Sequence, residues 1–108
     1  NIFLITNAHR KTLNIKLKKY NISSKFNHIV CSHELLFIKE EIQFWYILKN
    51  KFCLDYKNTV LIEDTIDNLL AANSAGLKNH IYVGSGNNLS KKINPLVINS
   101  LSELASAF

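Results

Sequence analysis

The sequence has no methionine, one proline, three glycines and two cysteines among its 108 residues. Cys31 and Cys53 cannot by themselves build a disulfide framework or a thiolate zinc cluster. They read as reduced thiols of a cytoplasmic protein, Cys31 in the core. Long hydrophobic runs are missing as well. The apolar stretches at residues 2–5 and 60–62 are strand-sized, far below the roughly 18 residues of a membrane span. No basic stretch precedes the first of them, so it does not read as a signal peptide. Arginine is nearly absent: Arg10 stands against twelve lysines, with eight acids and a net charge of +5. A nucleic-acid footprint is clustered and interleaved with Arg and aromatics. Here the lysines are spread along the chain, and the densest stretch, residues 10–25, reads as a solvated helix face. The chain opens Asn1-Ile2-Phe3-Leu4-Ile5, in the middle of what reads as a strand. It is therefore expected to be a piece of a longer chain.

What is present is ample for a core. Hydrophobic residues make up 47% of the chain, which excludes global disorder and fits one domain. Short apolar runs alternate with longer amphipathic ones. Strands are expected at residues 2–5, 28–31, 59–62 and 80–83, with a shorter one at 96–98. Helical spacing of Leu13, Leu17 and Tyr20 predicts a helix over 12–20, ended by Asn21. Phe44, Leu48 and Phe52 predict one over 40–52. A third over 67–75 is stopped by Gly76. A polar loop over 84–92 and a closing helix over 101–107 complete the pattern. The strands are apolar throughout rather than alternating, which predicts an α/β domain with a parallel sheet covered on both faces by helices.

In such sheets chemistry gathers at the carboxyl ends of the strands. The residues there are Thr6-Asn7, Ser32-His33, Glu63-Asp64 and Gly84, with Lys39 shortly after the second strand. Two adjacent carboxylates at a strand end repel one another unless a cation offsets them. Oxygen ligands suit Mg²⁺ better than Zn²⁺. Asp67 and Asn68 could hold metal-bound water or cap the following helix. Thr6 and Asn7 offer donors to a phosphoryl oxygen, and equally a helix cap. Lys39 over the same edge would offset phosphate charge. His9 and His33 lie near the same rim, as substrate contacts or as surface histidines. No Asp-x-Asp occurs in the chain. The residues alone describe a phosphate-and-Mg²⁺ half-site without its chemical centre.

The ordered segments Ile5-Thr6-Asn7, Lys39-Glu40 and Leu61-Ile62-Glu63-Asp64-Thr65-Ile66-Asp67-Asn68-Leu69-Leu70-Ala71-Ala72, closed by Ala75-Gly76, resemble three signature segments of the haloacid dehalogenase-like (HAD) hydrolases. The segment Thr6-Asn7-Ala8-His9, with Ser32-His33 and the Lys39-Glu40 to Phe44-Trp45 run, is similar to the bacterial GMP/IMP nucleotidase subgroup. The family usually carries a Pro beside the Lys, where this chain has Ile38 and Glu40.

The resemblance implies a HAD-like Rossmannoid core, with residues 1–108 its C-terminal portion. The central nucleophile strand and the cap would then be missing, the missing strand lying between those of residues 2–5 and 59–62. It implies a Mg²⁺-dependent phosphomonoester hydrolase in the full-length protein, working through an aspartyl-phosphate. Its substrate would be a phosphorylated small molecule, with nucleotide monophosphates such as GMP and IMP as candidates; neither nucleic acid nor membrane is expected as a partner. By the same resemblance Thr6, with Asn7 beside it, would bind the phosphoryl group and Lys39 would stabilise the aspartyl nucleophile. Asp64 would bind Mg²⁺ directly, Glu63 through metal-bound water, and Asn68 would support them. Three alternatives stand beside this: an inactive fragment or decayed gene product, a receiver-like domain and a basic nucleic-acid-binding domain. Motif order speaks against the receiver, whose acid pair comes first.

Overall fold

The computed structural model describes residues 1–85 and 93–103. Strand β1 (Phe3–Thr6) leads into helix α1 (Arg10–Tyr20), strand β2 (His28–Cys31) and helix α2 (Ile42–Phe52). Strand β3 (Val60–Glu63), helix α3 (Ile66–Ser74) and strands β4 (Asn79–Val83) and β5 (Leu96–Ile98) follow. Short 3-10 turns at Ser23–Lys25, Ser32–Leu35 and Tyr56–Asn58 carry no periodicity long enough to be read from sequence.

All strand pairs are parallel, and the sheet is divided between β1 and β3, where the resemblance puts the missing strand. β1 pairs with β2, and β4 lies between β3 and β5. β1 and β3 have no strand pairing with each other. A cleft of about 940 Å³ separates them, walled by residues 2–5 and 60–63 over a floor of Trp45, Leu48, Phe52 and Tyr56. Direct pairing would require α2 to repack, because its buried face serves both sheets. Phe44, Trp45 and Leu48 share one apolar cluster with Phe3, Ile5 and Val30 of the first sheet and with Leu61 and Tyr82 of the second.

Alternation along the strands sorts the first sheet between two helices. Leu4, Ile29 and Cys31 meet Leu13 and Leu17 of α1, while Phe3, Ile5 and Val30 meet α2. That sheet has helices on both faces, as its apolar strands predict. β3 departs from the expectation: Leu61 and Glu63 are buried, but Val60 is 57% and Ile62 43% exposed.

Helix ends depart by a residue or two. α1 starts at Arg10 rather than at 12, held by the Arg10 guanidinium donating to the Ile29 carbonyl (2.9 Å) and to Glu34 (2.6 Å). Asn21 ends it in the left-handed conformation at φ 51°. α2 starts at Ile42 rather than at 40, because Ile38 to Glu41 form a turn in which the Glu41 N–H donates to the Ile38 carbonyl (3.0 Å). Gly76, at φ +102°, supplies the reversal after α3. Most of the expected 84–92 loop and the end of the expected 101–107 helix lie outside the described residues. Among the described residues no helix is long and apolar enough to cross a membrane.

His80 gives this fold an acid-sensitive point. Its ring is buried and bonded to the Leu77 carbonyl, and burial holds its pKa below the ordinary 6.5. The unfolded chain takes up the proton first, so this contribution is present above pH 6.5 and is lost as pH falls below it. Urea unfolding from neutral pH down to about pH 5 should show falling stability. His80→Gln should flatten that slope.

Candidate functional site

Period-two alternation separates the two acids at the end of β3. Glu63, the last strand residue, points inward and is 7% exposed, while Asp64 is exposed and lines the cleft. Glu63 is held on every side. Its Oε1 accepts from Lys39 Nζ (3.0 Å) and Asn68 Nδ2 (2.9 Å). Its Oε2 accepts from the backbone N–H groups of Asp64 (2.9 Å) and Thr65 (3.0 Å). A carboxylate has about four acceptor directions, and all four are engaged.

Lys39 reaches this carboxylate from the turn before α2. Its ammonium also donates to the Ile5 carbonyl (3.4 Å), so one cation touches the carboxyl ends of both β1 and β3. The pair is mostly withdrawn from water, with side-chain exposures of 15% for Lys39 and 6% for Glu63.

Thr6 ends β1, where its Oγ1 accepts from the Ala8 N–H (3.0 Å) and keeps its own proton to donate. The hydroxyl therefore closes the turn ahead of α1, and the helix N-cap itself is His9, whose side chain makes no capping bond. Asn7 turns toward the lysine segment: Oδ1 accepts from the Lys39 N–H (3.1 Å) and Nδ2 donates to Glu40 (3.1 Å). His9 and His33 are exposed with ring centroids 4.7 Å apart, tilted by 44°. Next to them Arg10 pairs with Glu34 at 2.6 Å and holds that carboxyl below its usual range. Cys31 is fully buried and burial pushes its thiol up, which leaves it a core residue. Asp67 stands apart in the first turn of α3, in a separate hollow with Glu40 and Ile42.

Among the described residues no group of three or more His, Cys, Asp or Glu is placed to hold a metal. What fits Mg²⁺ is a partial shell. Asp64 presents an exposed carboxylate, and Asn68 Oδ1 is a buried acceptor without a partner beside Glu63. An orphan acceptor there suits the proton of a coordinated water.

The sequence reading gave no role to Tyr56, and quoted Glu40 and Trp45 only within the run that carries the resemblance. The indole N–H of Trp45 donates to the Lys39 carbonyl (2.8 Å), and the Tyr56 hydroxyl donates to the Trp45 carbonyl. Neither bond has a signal in the helical periodicity, which rests on Phe44, Leu48 and Phe52.

The chain belongs to the haloacid dehalogenase-like hydrolases, whose family profile matches residues 1–81. Solved structures agree in fold. The HAD-hydrolase YfnB from Bacillus subtilis, solved bound to magnesium, is 19% identical with a TM-score of 0.84 over 99% of this chain. A dehalogenase is 15% identical with a TM-score of 0.81 over 98%. A HAD phosphatase from Thermococcus onnurineus is 16% identical with a TM-score of 0.74 over 97%. The chain spans about half the length of these relatives, 48% of each. No curated protein matches it significantly in sequence.

Asn68 and Asp67, neighbours in sequence, should behave differently on truncation. Asn68→Ala removes a buried donor to Glu63 and should destabilise by about 1–3 kcal/mol. Asp67→Ala, exposed at a helix start, should lose no more than about 1 kcal/mol. Urea unfolding of the two variants compares them.

Proposed function

We propose that the chain carries half of a Mg²⁺-dependent phosphomonoesterase site, completed in the intact protein by a strand that bears the nucleophilic carboxylate. The observation that carries this reading is the Lys39 ammonium at the carboxyl ends of β1 and β3, above a cleft whose two bounding strands have no pairing across it. A parallel strand seated in that cleft would complete one sheet and bring its carboxyl end to Lys39, Thr6 and Asp64. The 108 residues would then be the C-terminal portion of one HAD-like domain.

Each residue has a definite task in this reading. Thr6 donates its hydroxyl proton to a phosphoryl oxygen. Asn7 stands beside it and holds the Lys39 turn. Lys39 neutralises charge on the attacking carboxylate and on the acyl-phosphate that forms as the ester oxygen leaves. Asp64 would hold Mg²⁺ directly, with Asn68 Oδ1 accepting a hydrogen bond from a water on it. Glu63 can reach the ion only through water, and only by sharing an acceptor already engaged within the chain. When bound, the ion supplies charge stabilisation at the phosphoryl oxygens.

For substrate we propose a nucleoside 5′-monophosphate such as GMP or IMP, in the cytoplasm. His9 and His33 at the same rim offer two tilted aromatic faces to a base.

The test is hydrolysis of p-nitrophenyl phosphate by the intact protein. Chelation of divalent metal should stop it and Asp64→Asn should abolish it; full activity of that variant would end the metal assignment. The 108-residue chain on its own should hydrolyse nothing, since its described carboxylates include no free pair at the cleft. Among natural esters, GMP and IMP should outrun sugar phosphates, and His33→Ala should raise KM for them. Equal turnover of both classes would remove the nucleotide assignment.

A further inference from the structure

The backbone of Lys39 is gripped at both ends by side chains that do not touch the cleft's mouth in the same way its ammonium does. Its N–H donates to Asn7 Oδ1 (3.1 Å), and its carbonyl accepts from Trp45 Nε1 (2.8 Å). Trp45 is fully buried and stacks edge-on against Phe44, with ring centroids 5.0 Å apart at 90°. An indole has one polar group, a donor, and no water reaches this one. Its only way to remain paired is to keep the Lys39 carbonyl where it is. Trp45 itself is anchored from below, where the Tyr56 hydroxyl donates to its carbonyl. Burial pushes the Tyr56 phenol well up, so it stays a donor.

The turn that bears Lys39 has no proline to stiffen it. It lies between Leu36, a bulky residue in the left-handed conformation (φ 70°) that is 84% exposed, and the start of α2. A lysine there has a long flexible stem, carried on a turn that belongs to no helix or strand. The ammonium nevertheless meets two acceptors on different strands, Glu63 and Ile5.

We propose that Trp45 is a positioning residue for Lys39. Its indole N–H fixes the Lys39 peptide, with Asn7 as the second grip, so that the ammonium is aimed at the junction of β1 and β3. This rests on the phosphatase reading of Lys39 for its catalytic consequence, but not for the grip itself.

Two measurements on the intact protein separate those parts. Trp45→Phe keeps an aromatic ring and loses only the donor. Lysine reactivity is read by reductive methylation and mass spectrometry, with the exposed lysines of α1 as internal reference. Methylation of Lys39 should rise several-fold in Trp45→Phe, while the reference lysines stay unchanged. In p-nitrophenyl phosphate hydrolysis the same variant should lose up to about 10²-fold in kcat, the scale of a small misplacement, with KM little changed. Should Trp45→Phe fail to fold, Asn7→Ala opens the same grip from the exposed side and should raise Lys39 methylation in the same direction. Unchanged Lys39 methylation in a folded variant overturns the proposal. Raised methylation with undiminished kcat overturns its catalytic part. If hydrolysis is absent from the wild type, the phosphatase reading fails, and methylation still decides the grip.

Discussion

One ammonium group joins the two halves of this molecule at the carboxyl ends of β1 and β3. Lys39 Nζ donates to the Glu63 carboxylate at the end of β3 and to the Ile5 carbonyl in β1. Between those strands there is otherwise a cleft and no strand pairing. A buried ion pair does not come free: both charges lose water, and the pair persists only where hydrogen bonds fill the remaining acceptor and donor sites. Here Asn68 and the Asp64 and Thr65 amides do that for Glu63. The arrangement at the strand ends follows from that requirement.

Below the rim, α2 does the corresponding apolar work. Its buried face, Phe44, Trp45 and Leu48, contacts residues of both sheets and keeps them at a distance that leaves the cleft open. Charge at the top and packing underneath therefore hold β1 and β3 facing each other without pairing. Val60 and Ile62 remain partly exposed as a result, and such an apolar strand with an unpaired edge is prone to associate with further strands. The same geometry explains why Glu63 and Asp64 differ. A strand's alternation sends one into the interior, where it orients Lys39, and leaves the other on the cleft wall.

Much of the fold was legible in the residues. Continuous apolar runs at residues 2–5, 28–31 and 59–62 marked the parallel strands to within a residue, and Asn21 and Gly76 marked helix stops. The division of the sheet was legible only through the resemblance, which put a missing strand between residues 2–5 and 59–62; strand periodicity reports what a strand's faces meet and says nothing of which edge is paired. Lys39 was one lysine among twelve, and only its order between Thr6 and Glu63-Asp64, through the resemblance to the HAD hydrolases, singled it out. The share of work between Glu63 and Asn7 was also hidden. Both were read as facing a ligand, but each spends its acceptors within the chain, Glu63 on Lys39, Asn68 and two amides, and Asn7 on the Lys39 N–H. The bonds of Trp45 and Tyr56 were hidden as well, because a sequence shows that an indole or a phenol can pack and not which carbonyl its polar atom meets.

The most direct measurement of this account is a double-mutant cycle between Lys39 and Glu63, read by urea unfolding of the intact protein. Lys39→Met strands a buried carboxylate and should destabilise by about 3–5 kcal/mol. Glu63→Gln leaves the ammonium without its counter-charge and should also destabilise. If one ion pair ties the two strand ends, the double variant should lose less than the sum of the single ones, with a coupling of about 1–3 kcal/mol. Losses that add to within about 0.5 kcal/mol would show two independent residues, and the bridge between β1 and β3 would have to be abandoned.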